Sequence, residues 1–256
     1  MSTPIDISEK AGVRYLHFGS EWIQGAMRLR QPEALELDYT REMMAGLLLR
    51  DGLADDGGVW PRRVLIVGLG AASLVKFVYR HCPRARIDVV EIEPEVVTAA
   101  QQFFRLPPQG ERLAIHVGDG VKFVLQEGEP YDYAFVDGYD RRARTGALDT
   151  LPFHLALRAR LSDEGLAAYN LLGQARGHAA SVARIVKAYD ERAAAFPSCD
   201  SGNVIVFAAT GSRVERSAAE LRQRATRLRA QTKLDLASVV SRLEAAGSLP
   251  RGKFIL

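Results

Sequence analysis

The sequence predicts an α/β protein built on a doubly wound, mostly parallel sheet. Three observations carry this. A continuous apolar, β-branched-rich run, Val64–Val67, reads as a strand buried on both faces. Gly68-Leu69-Gly70 breaks that run, and from residue 72 to Arg80 the apolar positions return at helical spacing, with Pro83 as a stop. Beyond this unit, strand-like and helix-like segments alternate, the pattern of a parallel sheet covered on both faces.

In chain order, "VRYLHFG" and "EWIQGAMRLR" read as a small antiparallel hairpin, followed by a helix over "YTREMMAGLLL". Strands follow at 64–67, 85–92, 112–117, 131–137 and 165–172, and helices at 72–81, 94–104, 120–126, 149–161 and 176–195. A closing strand, "NVIVFAA" at 203–209, supplies the final hairpin-like pair typical of methyltransferase-like, Rossmann-like sheets of seven strands. Past Thr210 the composition turns to a charged helical tail, "RVERSAAELRQRATRLRAQTKLDLASVVSRLEAAG". The expected division is therefore a β-hairpin region (1–37), a ligand-binding sheet domain (38–210) and the tail (211–256).

Composition narrows the function classes. A chain of 256 residues with 47% hydrophobic content is long enough for one sizeable core. A net charge of +3 gives no case for nucleic acid as a partner. Cys82 and Cys199 suggest reduced thiols rather than a disulfide framework, and "MSTPIDISEK" lacks the apolar core of a signal peptide. The longest apolar run is too short to span a bilayer. The five histidines show no metal-ligand spacing. The expectation is a cytoplasmic protein with no metal and no membrane partner.

A glycine turn between a buried strand and a helix N-terminus suits an electron-rich ligand, because backbone N–H groups and the helix dipole point there. A dinucleotide is one candidate, yet Ser73 stands where the third glycine of G-x-G-x-x-G belongs. In a doubly wound sheet the ligand lies at the carboxyl ends of the strands. Glu91 ends the second strand, about twenty residues past the glycines, placed to accept from ribose hydroxyls. Asp119, in "VGDG", ends the third strand, placed either to accept from an adenine amino group or to cap helix 120–126. Acids after both strands favour an adenosyl-sulfonium ligand over NAD. The fourth strand ends in "AFVDGYDRRARTG", with Asp137 toward the cleft and Tyr139 and Asp140 behind it. A carboxylate there can take a proton from a nucleophile or hold an amine.

Together, "GLG…VVEIEPEVV…HVGDG…YDYAFVDGYD" resembles the spermidine synthase family, the aminopropyltransferases, over roughly residues 13–210. The upstream "WIQGAMRL…YTREMM" is similar as well, with Gln24 at the family's ligand-contacting glutamine. The resemblance implies decarboxylated S-adenosylmethionine (AdoMet) as cosubstrate, a small-molecule amine acceptor and a dimer. It implies that Gly68, Gly70, Glu91 and Asp119 hold the nucleoside, that Asp137 is the general base, and that Asp140 holds the acceptor amine, with Tyr139 beside them.

Three departures stand against it. The family reads G-G-G-D-G after the first strand, and its aspartate meets the aminopropyl amine; here Ala71 stands instead. The family's tyrosine before "x-E-M" falls on Thr40, one residue from Tyr39. The loop after Asp140 carries Arg141, Arg142 and Arg144. A protonated diamine ~8 Å from one of them meets roughly 0.5 kcal/mol of repulsion per charge pair even at the dielectric of water. Two further readings stay open: a methyltransferase using intact AdoMet on a neutral or anionic acceptor, and a non-catalytic nucleoside-binding scaffold whose partner surface is Arg222, Arg224, Arg227 and Arg229.

Overall fold

The computed structural model of the chain describes residues 5–19, 22–53, 59–140, 143–175, 177–199 and 201–256. The chain opens with three antiparallel strands, β1 (Asp6–Lys10), β2 (Val13–His17) and β3 (Ile23–Arg28), in that order. The sequence shows the β2–β3 pair. It conceals β1, whose side chains are nearly all exposed and so lack apolar alternation. A two-residue turn joins β1 to β2, with Ala11 and Gly12 both at positive φ, the geometry that matches the twist of a hairpin.

The expected helix over 39–49 is two short ones, α1 (Asp38–Met43) and α2 (Gly46–Leu49). The break has a local cause. In a continuous helix the Met43 carbonyl accepts from Leu47; here it accepts from the Tyr133 hydroxyl, and Leu47 donates to Met44 instead.

Strands and helices then alternate as expected: β4 (Arg63–Val67), α3 (Ser73–His81), β5 (Arg86–Glu91), α4 (Pro94–Phe103), β6 (Leu113–Val117), α5 (Gly120–Val124), β7 (Tyr131–Val136), α6 (Leu151–Ala159), β8 (Leu161–Leu172) and α7 (His178–Ala188). Two further strands, β9 (Ala193–Ala195) and β10 (Asn203–Ala209), complete a seven-stranded sheet of order β6-β5-β4-β7-β8-β10-β9. The first five strands in that order run parallel, and β10 runs antiparallel between β8 and β9. The helix expected to reach 195 stops at Ala188. Asp190 and Glu191 turn the chain at positive φ, and the alanines after them, good helix formers, pair with β10 as an edge strand. Sheet pairing overrides propensity here.

The segment 211–256 forms β11 (Glu215–Ser217), α8 (Ala218–Thr232), α9 (Ala237–Ala245) and β12 (Lys253–Ile255), with β11 and β12 paired. Ser217 and Glu220 close a reciprocal capping box at the start of α8. Leu221, Leu228, Val240 and Phe254 are buried in the same apolar cluster as Ile66 and Phe207 of the sheet. The tail arginines have internal work. Arg222 pairs with Glu244 and Arg229 with Asp235. Arg224 is buried, bonding Asp51 at 2.9 Å and the Arg50 carbonyl, while Arg50 reaches Glu164 and the Thr210 carbonyl. Arg224 is thus a strut rather than part of a free partner surface. Arg224→Ala orphans the Arg50 carbonyl and should cost about 2 kcal/mol, read as a lowered urea midpoint at unchanged m-value.

Candidate active site

The strand order reverses direction of growth between β4 and β7, so the loops leaving their carboxyl ends diverge and leave a crevice. A cavity of about 570 Å³ occupies it, walled by the loops after β4, β5, β6 and β7 and closed on one side by Phe18 and Gln24 of the N-terminal sheet. A larger recess, about 900 Å³, lies between the β3–α1 segment and the α8–α9 turn. Its charges are largely matched to one another, as Arg28–Glu36, Arg41–Asp38 and Arg242–Glu42. The smaller cavity is lined by Glu91, Asp119 and Asp140, and by Gly138 and Tyr139, the residues that follow Asp137.

Gly68 leaves β4 at φ +95°, and a Cβ there would overlap the Asp137 carbonyl oxygen. Glycine is required on both counts, conformation and close approach. Gly70 lines the cavity at φ +50°, next to the Gln24 carbonyl. Ala71 does not face the cavity. It is 2% exposed and packs with Leu16, Met27 and Phe104, and a Cβ on Gly25 would lie 2.6 Å from its own. The departure from the family pattern at this position is therefore a buried apolar contact that seats β3 on the glycine turn.

Glu91 is buried at the end of β5. Its Oε2 accepts from the Leu69 N–H at 2.8 Å and its Oε1 from the Glu93 N–H at 2.9 Å. One carboxylate thus fixes the glycine turn and its own loop. Burial pushes its titration up, and the backbone N–H groups of Leu69, Glu93 and Ile92 oppose this. Asp119 is the N-cap of α5, its Oδ1 accepting from Val121 N–H at 2.7 Å, while it also lines the cavity. Capping and cavity placement coexist, because a carboxylate has two oxygens.

Asp137 follows β7, and its N–H donates to the Val67 carbonyl at 2.9 Å, tying it to the mouth of β4. Its neighbours Gly138 and Tyr139 line the cavity. The carboxylate accepts from Asn170 Nδ2 at 2.8 Å and from the Tyr39 hydroxyl. Burial pushes it up to about 6, offset in part by those two donors. Burial and the nearby Asp137 charge hold the Tyr39 phenol well above its ordinary value, so it stays a donor. Tyr39, not Thr40, is thus the tyrosine of the site; the Thr40 hydroxyl donates to the Leu37 carbonyl at 2.6 Å.

Tyr139 lines the cavity, but its hydroxyl donates to the Asn170 carbonyl at 2.7 Å, which gives it a bracing role. Asp140 is engaged by its own loop: Arg144 donates to Asp140 Oδ2 through Nε at 3.0 Å and a terminal nitrogen at 2.8 Å. The expectation that Asp140 stands ready for an acceptor amine meets this internal cation instead. Arg141 and Arg142 lie outside the described residues. Asn170, Phe18, Ile92 and Leu148 join the site without a sequence motif that marks them. Asn170 stands out only as the one amide in the apolar run of β8. Ile92, 64% exposed, and Leu148 line the cavity as apolar surfaces next to the acids. Among the described residues no group of three or more His, Cys, Asp or Glu is arranged to hold a metal ion. No helix among them is long and apolar enough to cross a membrane.

The Spermine/spermidine synthase domain model matches residues 39–194. A polyamine aminopropyltransferase of Neisseria meningitidis is 31% identical over 242 residues, covering 94% of this chain and 89% of the relative. The chain belongs to the spermine/spermidine synthase family. It is, with that family, a transferase. A polyamine aminopropyltransferase of Chromobacterium violaceum is also 31% identical, over 98% of this chain and 94% of its own length. Among solved structures, human methyltransferase-like protein 13 in complex with SAH is 26% identical, with a TM-score of 0.66 over 77% of this chain and 93% of that one. A probable spermidine synthase from Corynebacterium glutamicum, 20% identical, shares the fold with a TM-score of 0.69 over 88% of this chain and 83% of that one. The family match spans α1 through β9, so it includes Tyr39, Glu91, Asp119, Asp137 and Asn170.

Proposed function

We propose that the protein transfers an aminopropyl group from decarboxylated AdoMet to a small amine. The observation that carries this is Asp137, placed beside the glycine turn and held by Tyr39 and Asn170, with a titration raised to about 6. A base with that value is ionised at neutral pH and still accepts a proton well. The amine nitrogen attacks the methylene next to the sulfonium. The carbon–sulfur bond breaks with its electron pair going to sulfur, methylthioadenosine leaves, and the proton lost by the amine goes to Asp137.

Glu91 supports the ribose hydroxyls, and the Asp119 oxygen not used in capping supports the adenine amino group. Ile92 and Leu148 offer the adenine ring apolar surface. Gln24 and Phe18 close the cavity from the N-terminal sheet.

Methyl transfer from intact AdoMet is the second reading, and two observations favour it. No carboxylate stands at Ala71 to repel that of AdoMet, and Arg144 occupies the acid that a diamine acceptor needs. The two readings release different products. The protein is mixed in turn with decarboxylated AdoMet and AdoMet, each with a panel of mono- and diamines, and the nucleoside released is identified by mass. Methylthioadenosine from the decarboxylated form is the expected result. S-adenosylhomocysteine from AdoMet, with no methylthioadenosine, overturns the proposal.

A further inference from the structure

The Asp137 carboxylate is the inner end of a hydrogen-bonded chain that runs across the sheet. Asn170 on β8 donates to it through Nδ2 at 2.8 Å. The Oδ1 of Asn170 accepts from Asn203 Nδ2, also at 2.8 Å, at the start of β10. The Oδ1 of Asn203 accepts in turn from the Ser201 hydroxyl at 2.8 Å, and Ser201 Oγ stands 3.0 Å from Cys199 Sγ. Both asparagine side chains are buried, Asn170 at 5% and Asn203 at 7% exposure.

The direction of this chain is forced. An ionised carboxylate only accepts, so the Asn170 amide must turn its NH₂ toward Asp137 and its oxygen away. That oxygen, shut off from water, needs a donor, and Asn203 supplies it. Were Asn170 reversed, its oxygen would face the carboxylate and its NH₂ would face the NH₂ of Asn203. Asn203 thereby opposes the reversed state. The Asn170 carbonyl, which accepts from Tyr139, holds the backbone of the same residue.

We infer that Asn203 is a positioning residue for the reaction: through Asn170 it fixes the amide orientation that keeps the Asp137 carboxylate ionised and aimed. The inference rests on the reading of Asp137 as the base. The other titratable groups around Asp137 are Tyr39 on α1, Tyr139 on the loop after β7 and Glu91 on β5, whereas the side-chain hydrogen bonds of Asn203 run to Asn170 and Ser201.

The test is a double-mutant cycle on the whole protein, read from the ¹³C carboxyl shift of Asp137 against pH, its signal assigned by its absence in Asp137→Asn. Asn170→Leu removes the donor to the charged form and should raise the midpoint by about one unit. Asn203→Leu leaves the donor in place but unlocked, and should raise it by about half a unit. In the Asn170→Leu background, Asn203→Leu should add nothing, since the path through the amide is already gone. The double variant replaces two buried partners with apolar side chains, so it is expected to fold. Melting curves on the same samples check this. An unmoved midpoint in Asn203→Leu, or an equal shift in both backgrounds, overturns the inference. Retained turnover in Asp137→Asn, measured as methylthioadenosine release from decarboxylated AdoMet with putrescine, overturns the base assignment instead.

Discussion

Asp137→Asn should reduce single-turnover rate by about 10²–10⁴-fold while leaving methylthioadenosine affinity within a few fold. The substitution keeps the size of the side chain and one oxygen for Asn170, but it removes the group that takes the amine's proton. The nucleoside is held elsewhere, by Glu91 and Asp119, so binding should survive. Stability should not suffer. Burial has raised the native titration of Asp137 to about 6, above its ordinary value of 3.8. The folded state therefore takes up this proton before the unfolded one, and the ionised form at neutral pH is an internal cost that Asn removes. The same value sets the pH dependence. Turnover by the wild type should fall as pH drops through about 6, because protonated Asp137 is no longer a base. A rate that stays flat from pH 8 to pH 5 excludes Asp137 from proton transfer. So does a variant that turns over normally with a lowered Tm, the mark of a purely structural carboxylate.

Glu91→Ala should weaken methylthioadenosine binding by about tenfold to over a hundredfold, the loss of charged hydrogen bonds worth roughly 1.5–3 kcal/mol. The geometry adds a second loss. The Leu69 and Glu93 N–H groups both end on this carboxylate, so its removal orphans two donors and frees the glycine turn. Tm should fall together with affinity. Glu91→Gln retains one acceptor oxygen and should lie between wild type and Ala in both measurements. Titration calorimetry with methylthioadenosine decides it: unchanged affinity in Glu91→Ala removes the carboxylate from the nucleoside site. A fall in Tm alone assigns Glu91 to the turn and not to the ligand.

Most of the sheet was legible because its strands are buried on both faces and carry continuous apolar runs, as in Val64–Val67, while the helices between them show one apolar stripe. The acids Glu91, Asp119 and Asp137 were legible for a related reason: each is the first charged residue after such a run, so strand ends could be counted without a structure. β1 was hidden because its side chains are exposed and polar. β9 was hidden because three alanines state no preference that sheet pairing with β10 cannot override.

What the sequence alone determined is the order of the strands' chemistry: a glycine turn, then three acids, each on a strand end of an α/β sheet. What each of these groups touches is set by packing in three dimensions. Ala71 is apolar in the sequence, but only packing shows it turned under β3 and away from the cavity. Tyr39 and Asn170, separated from Asp137 by long stretches of chain, meet its carboxylate only once α1, β7 and β8 are assembled. Asp140 has an acid's charge in the sequence, yet Arg144 claims it in the folded loop. The Asp140–Arg144 pair is local, four residues apart, and is set by the fold of one loop. For the other three, local propensity and periodicity report which residues are buried, whereas packing and hydrogen-bond partners are set by side chains brought together from distant elements, and a linear pattern carries no record of those encounters.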